Sequence, residues 1–256
     1  MSRFVATILF LSLCASPLAL RAQESGNAAQ IREDEIIVDS AEGIHLHALL
    51  IRPTVATGKP TAVLLHALGR DRDALLPLAD ALVAAGYPAL AIDLRGHGSS
   101  SRVGKFQRYS FKVAPPTDLH KAVDDLQRVI NKAHEATRLD IAQLIIVGVG
   151  QGALVAAEAS ARKPAFKAMV IVDPPHNYAG FHLEQELGYF GGRPVLFICS
   201  AMASSYDRAL VLRDFGYGER EIRRLESYDT QDHLLAAGTN GIEEITTWLE
   251  GHFSAD

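Results

Sequence analysis

Six short segments predicted to be strands, most of them aliphatic, recur along the chain and constrain its fold more than any other feature. They lie at residues 61–68, 87–94, 144–149, 168–173, 194–200 and 221–227. Segments with helical periodicity alternate with most of these strands, and one follows the last strand. They lie at 74–85, 117–136, 153–161, 207–215 and 242–252. Strands that alternate with helices are typical of right-handed βαβ units in a parallel sheet. Because most of these strands are almost continuously apolar, helices should cover both faces of that sheet. The sequence therefore predicts an α/β fold.

An antiparallel hairpin is expected before the first of these strands. Apolar residues at 36–38 and at alternate positions over 44–50 flank a turn at Glu42 and Gly43, a pattern typical of paired strands. With this hairpin the sheet has about eight strands, most of them parallel.

Two helix ends and one irregular segment can also be placed from the sequence. Thr117 is a suitable N-cap for the second helix, and Gly86 is suitable to end the first. Residues 174–192 interrupt the alternation of strands and helices but are too few to form a lid domain. We therefore expect a small excursion over the site, and a lid that is small or absent.

Residues 1–22 have the three-part layout of a secretory signal peptide. A basic side chain precedes an apolar run over 4–15, and small residues lead to Ala22. We expect cleavage there, followed by a flexible lead-in at 23–33 and one domain over 34–256. Export to the periplasm or the extracellular space follows from this interpretation. An uncleaved N-terminal anchor is the alternative.

Hydropathy, cysteines and charge narrow the classes of partner. The longest apolar run is shorter than the roughly 18 to 20 residues that cross a bilayer, so an integral membrane protein is not expected. A lipobox carries a small residue directly before its cysteine, and Leu13 is too large for that position, so Cys14 is assigned to the leader. Cleavage of the leader would then leave Cys199 without a disulfide partner within the chain. The net charge is −5 and the chain has no basic cluster, which disfavours nucleic acid as a partner. A small molecule or a protein remains as partner, and no cofactor is expected; the oligomeric state is not indicated.

The residues that follow the strands carry the chemical information, because ligands bind beyond the carboxyl ends of strands in open α/β sheets. Three motifs stand there: HALG at 66–69, DLRGHGSS at 93–100 and GVGQG at 148–152. In this order and separation they resemble the α/β-hydrolase superfamily. Within it the chain is most similar to small bacterial esterases of the dienelactone-hydrolase-like or serine-aminopeptidase-like type, which lack a large cap. The resemblance covers the whole chain after the leader.

This resemblance implies a nucleophile elbow of the form G-x-S-x-G, in which serine lies on a sharp turn from strand to helix. Gly150 occupies the serine position here, so the nucleophile position is vacant. Glycine adopts the positive φ of such a turn without steric cost, which preserves the turn while removing the hydroxyl. The oxyanion hole implied by the resemblance consists of the backbone N–H groups of Leu68 and Gln151, which need only main-chain geometry. His66 lies beside it in the same motif.

The other members of the implied catalytic triad are also altered. Related sequences carry aspartate shortly after the strand at 194–200, whereas this chain has Met202 and Ala203 in that region. The implied histidine corresponds to His233, in the loop before the last helix. Asp173, after the preceding strand, is a candidate for a relocated acid; alternatively, it caps the turn before two prolines.

Several chemically versatile side chains have simpler interpretations. His66 and His97 fit structural hydrogen bonds near the floor of a pocket. A metal site formed by His66, His97 and His233 is disfavoured because no ligand-spaced motif such as H-E-x-x-H occurs, so no metal is expected. Cys199 fits a buried small hydrophobe, on the wrong strand to serve the elbow as nucleophile.

Two functions remain open. The first is a pseudoenzyme: an exported hydrolase-fold protein that binds a small carbonyl-containing ligand or a partner protein without catalysis. The second is an active hydrolase of ester-like substrates in which His233 activates water, with Asp173 as its possible partner. The sequence leaves open whether the chain is an enzyme.

Overall fold

The computed structural model describes residues 30–201, 204–226, 234–237 and 239–254. Its strands are β1 (Ile31–Asp39), β2 (Ile44–Pro53), β3 (Thr61–Leu65), β4 (Ala89–Ile92), β5 (Arg102–Val103), β6 (Gln107–Arg108), β7 (Leu144–Val149), β8 (Phe166–Val172), β9 (Val195–Ser200) and β10 (Arg220–Leu225). Its α-helices are α1 (Leu76–Ala84), α2 (Lys121–Thr137), α3 (Gly152–Ala161), α4 (Leu183–Phe190), α5 (Ser204–Arg213) and α6 (Asn240–Phe253).

All of these strands join one sheet, in the order β10-β9-β8-β7-β3-β4-β2-β5-β6, with β1 paired to β2. The six strands from β10 to β4 in this order are parallel, whereas β2 is antiparallel to its neighbours. The carboxyl ends of β3, β4, β7, β8 and β9 therefore lie along one edge. The predicted α/β fold, with a mostly parallel sheet and eight strands longer than two residues, is confirmed.

Two hydrophobic clusters cover the two faces of the sheet. One contains the buried side chains of α2 and α3 together with those of α4 and α5. The other contains those of α1 and α6, including Trp248. Because the central strands are buried on both faces, they carry few polar side chains and leave the chemistry to the loops at their ends.

The local predictions differ from the structure at three places. Thr117 does not cap α2, because Pro116–His120 form a 3₁₀ helix first and α2 begins at Lys121. The excursion at 174–192 contains helix α4, which the broken periodicity concealed. Residues 31–33, expected in the lead-in, extend β1 and pair with β2. Gly86 follows the end of α1 with a φ of +88°, as expected.

Within the described ranges, no helix has both the length and the apolar character needed to cross a membrane. The predicted leader, with Cys14 and the cleavage position, lies outside the described residues.

Candidate functional site

The turn between β7 and α3 has the geometry of a nucleophile elbow. Gly150 lies at its apex with a φ of 51°. Its N–H donates to the carbonyl of Val172 at 2.9 Å, and its own carbonyl accepts the N–H of Ala153 at 2.9 Å. These bonds join the apex to the neighbouring strand on one side and to the first turn of α3 on the other. A glycine at this point makes the turn possible without strain.

The two outer glycines of the motif are required by close packing. A Cβ on Gly152 would lie 2.4 Å from the carbonyl oxygen of His66, and one on Gly148 would lie 2.4 Å from the Cα of Ala153. Both distances are too short for any side chain. The first contact presses the start of α3 against the loop after β3, and so brings the GVGQG and HALG motifs together.

This contact places the two expected oxyanion donors on adjacent segments. Leu68 follows β3 by three residues, and Gln151 precedes α3. Among the residues that the structure describes, no acceptor is paired with either backbone N–H. Two N–H groups on adjacent segments, the second at the start of a helix, favour binding of a carbonyl oxygen or an anion.

His66 is buried and supports the loop through both ring nitrogens. Its Nδ1 lies 2.8 Å from the carbonyl oxygen of Ala67, and the N–H of Leu94 donates to its Nε2 at 3.0 Å. The carbonyl requires hydrogen on Nδ1, and the incoming N–H requires a lone pair on Nε2, so the ring is the neutral Nδ1–H tautomer. His66 thus holds the loop that carries Leu68 and has no nitrogen left for a ligand.

Acid should destabilise the fold through His66. Burial lowers the pKa of this side chain to about 4, whereas an unfolded histidine titrates near 6.5. The unfolded chain therefore takes up a proton that the folded chain refuses, and stability falls as the pH drops from about 6.5 toward 4, by up to about 1.4 kcal/mol per pH unit. Urea unfolding at pH 6.5, 5.5 and 5.0 measures this slope. His66→Asn should be less stable at pH 6.5, but its stability should fall less steeply with decreasing pH. Equal slopes in the two proteins would show that other groups cause the loss of stability in acid.

The DLRGHGSS segment folds around a buried carboxylate. Asp93 accepts the backbone N–H of Arg72 at 2.9 Å and that of Ser99 at 3.0 Å, and burial raises its pKa. A Cβ on Gly98 would lie 2.4 Å from Asp93 Oδ1, so only glycine fits there. His97 lies in the same turn, buried and stacked on Phe111 with ring centroids 3.9 Å apart. Its Nδ1 lies 3.0 Å from the carbonyl oxygen of Arg95, so His97, like His66, supports the backbone.

A small pocket opens beside Leu68. Its volume is about 40 Å³, which suits a group of a few heavy atoms. One part of its lining follows β4 in the chain (Arg95, His97, Tyr109, Phe111), and another belongs to the excursion (Tyr178). The excursion at 174–192 therefore reaches the pocket, through Tyr178.

Asp173 comes directly after β8, the neighbour of the elbow strand. It has a φ of 53°, rare for a residue with a side chain, and its N–H donates to the carbonyl of Ile198 at 2.8 Å. The pairing of Val149 with Val172 places Gly150 and Asp173 at corresponding strand ends. Cys199 lies fully buried in β9, where burial and the charge of Asp173 raise its pKa to about 12. Asp173 is thus at the correct edge for a relocated acid, and Cys199 is held as a neutral thiol.

Comparison with known proteins identifies the family. The family model for serine aminopeptidase S33 matches residues 57–236, which include all three motifs. The chain belongs to the serine aminopeptidase S33 family, within the α/β-hydrolase superfamily. No curated protein matches the chain.

Solved structures show the same fold at low sequence identity. The esterase domain of a Rhodothermus marinus protein is 17% identical, with a TM-score of 0.63 over 88% of this chain and 100% of that one. Est1E from Butyrivibrio proteoclasticus, solved with ferulic acid bound, is 16% identical, with a TM-score of 0.63 over 85% of this chain and 97% of that one. The α/β-hydrolase GrgF from a Penicillium species is 13% identical, with a TM-score of 0.68 over 88% and 100%.

In this S33-family chain a buried ion pair supports the pocket wall, and sequence reasoning missed it. Arg95 Nε donates to Asp125 on α2 at 2.7 Å, and its Nη2 donates to Glu42 at 3.1 Å. Burial opposes the charge on Arg95, but these two carboxylates outweigh it and raise its pKa. A buried acidic residue on the otherwise apolar face of α2 is the signal that could have revealed the pair.

Within the described part of the chain, one group of side chains has the spacing of metal ligands: Glu219, Glu221 and His252. It lies at the amino end of β10, whereas Gly150 follows the carboxyl end of β7. Trp248 Nε1 already donates to Glu221 at 2.8 Å, and His252 pairs with Glu219. These contacts account for the cluster as a local hydrogen-bond network.

Three sequence-predicted positions of the S33 site lie outside the described residues: His233, Met202 and Ala203. The site brings together Gly150, Gln151, Leu68, His66 and Asp173 at one sheet edge. The role of His233 stays a prediction.

Proposed function

We propose that this protein is a pseudoenzyme that uses the hydrolase cleft to bind a small carbonyl-containing ligand or a partner protein without hydrolysing it. One observation carries the proposal: the elbow turn is intact, with Gly150 at a φ of 51° and tight packing on both sides, while its apex carries no hydroxyl. Acyl transfer by the family's route needs a nucleophile at that apex.

The oxyanion donors support the binding half of the proposal. The N–H groups of Leu68 and Gln151 belong to the main chain, so the loss of the serine side chain does not remove them. The pocket beside Leu68 offers apolar and aromatic walls to whatever is attached to the carbonyl carbon. Together they favour a small, partly apolar carbonyl compound.

Asp173 favours a second candidate, an active hydrolase of ester-like substrates. A carboxylate at this strand end, beside the elbow strand, could orient His233 so that the imidazole activates water directly. This route needs no serine. It predicts ester turnover without a covalent acyl-enzyme.

We also propose that the protein acts outside the cytoplasm. The support is the layout of residues 1–22, a basic start, a short apolar run and small residues before Ala22.

Fluorophosphonate should not label the protein, because Gly150 offers no oxygen to the electrophile. The measurement is the intact mass after incubation, with short acyl p-nitrophenyl esters assayed in parallel. The double variant Gly150→Ser with Ala203→Asp, which supplies both a nucleophile and an acid, is the positive control, and its adduct should map to residue 150. A stoichiometric adduct on Ser204 or any other native serine would refute the loss of nucleophilic catalysis. Ester turnover without an adduct, abolished by His233→Ala, would replace the pseudoenzyme with the second candidate.

Ligand binding is tested by NMR titration of the protein with a short ethyl ester. Shifts of the Leu68 and Gln151 amide resonances, with the ester recovered intact, are the expected result. If neither amide shifts at millimolar ester, the cleft does not bind carbonyl compounds of this kind.

A further inference from the structure

His120 holds two acceptors, one on each ring nitrogen. Its Nδ1 lies 2.9 Å from Glu158 Oε2 on α3, and its Nε2 lies 2.9 Å from the carbonyl oxygen of Ala179. Neither a carboxylate nor a carbonyl can donate a hydrogen bond, so both bonds exist only when both ring nitrogens carry hydrogen. A neutral ring satisfies one acceptor and turns a lone pair toward the other.

The Ala179 end of this bridge is a strained turn. Tyr178 and Phe181 are joined as an antiparallel pair, with the N–H of Phe181 donating to the Tyr178 carbonyl at 2.9 Å. The two central residues, Ala179 and Gly180, have φ values of 56° and 90°, the pattern of a type I′ turn. Alanine lacks the preference for positive φ that asparagine or glycine has at that position. The turn therefore depends on outside contacts, and His120 supplies one.

Charges around the ring match a cation. Glu158 is buried and also pairs with Arg162 on α3. Glu186 on α4 faces the same group, and burial together with the charge of Glu158 raises its pKa. His182 precedes α4, and the flanking part of the chain carries Asp118 and Lys121, which pair with each other. Phe181 stacks on the imidazole, with ring centroids 3.9 Å apart and an angle of 4°. An imidazolium offsets the two carboxylates and has favourable contact with the aromatic face.

We infer that His120 is a proton-dependent clamp: the doubly protonated ring ties the turn at 178–181 to α3, and loss of one proton releases that turn. Histidine is suited to this role because its charge changes between about pH 5 and 8. Tyr178 belongs to the turn and lines the pocket beside Leu68. The clamp therefore makes the shape of this pocket depend on pH. A pH effect on ligand binding in this pocket rests on the proposed function, whereas the clamp itself does not.

Hydrogen exchange of the Phe181 amide tests the clamp without any ligand. Relative to an unstructured peptide at the same pH, this amide should be roughly tenfold better protected at pH 5.5 than at pH 8.5. The pH difference should vanish in His120→Gln and persist in His134→Gln, which removes a histidine from α2 whose Nδ1 faces only the Leu139 carbonyl. Equal protection at the two pH values in the native protein, or a difference that survives in His120→Gln, would overturn the inference.

Nitrogen-15 spectra of the His120 ring give a second measurement that needs no variant. Hydrogen on both ring nitrogens at pH 5.5 and on one at pH 8.5, together with the change in protection, is the expected result. A neutral ring at pH 5.5 in the folded protein would contradict the clamp even if His120→Gln failed to fold. Neither measurement depends on ester binding, so a failed clamp and a failed proposed function are distinguishable.

Discussion

Gly150→Ser alone should give a folded protein with only feeble esterase activity. Serine at this position would take a positive φ near 51°, which costs about 1 kcal/mol and should not prevent folding. The catalytic defect would remain, because a histidine without its acid lacks the partner that sets its tautomer, a loss of roughly ten-thousand-fold in intact triads. Adding Ala203→Asp, or Met202→Asp if the register differs by one residue, should raise kcat far above that of the single variant. Rates with p-nitrophenyl acetate measure the effect.

Control variants separate the possible outcomes of this restoration. His233→Ala should abolish the activity of the double variant. If Gly150→Ser alone is an efficient esterase, an acid is already in place, and Asp173→Asn should then remove the gain. If every variant is folded by circular dichroism and none hydrolyses the ester, the oxyanion geometry assigned to Leu68 and Gln151 is wrong.

Asp125→Ala should cost about 3 kcal/mol of the free energy of unfolding. The substitution leaves the guanidinium of Arg95 buried with Glu42 as its remaining carboxylate, and removing one partner of a buried pair is far costlier than the pair's net contribution. Urea unfolding at pH 7 measures the loss. Arg32→Ala is the matched control, because Arg32 is largely exposed and its pair with Asp34 should contribute less than about 1 kcal/mol. Equal losses in the two variants would contradict the importance of the buried pair.

The sequence predicts those parts of the fold that depend on local patterns. Apolar runs identify the central strands because these strands are buried on both faces. The three motifs locate the elbow because their glycines are required by contacts at a few atoms, such as that between Gly152 and the His66 carbonyl. Helix α4 was missed because it is short and has only three buried side chains, Leu183, Leu187 and Phe190.

The bridge through His120 and the ion pair of Arg95 could not be predicted in this way. His120 meets Ala179 across 59 positions of sequence, and Arg95 meets Asp125 across 30. Neither pair has a spacing that a strand or a helix would repeat. Such contacts arise from the arrangement of whole elements, and only the folded chain brings them together.

The sheet ends on one side at β10, and the composition of that strand affects how copies of the protein behave toward one another. Four of its six residues are charged: Arg220, Glu221, Arg223 and Arg224. An exposed strand edge is a template for pairing with another chain, and charged side chains make such pairing unfavourable. The charges of β10 therefore disfavour edge-to-edge pairing of protein copies at this end of the sheet.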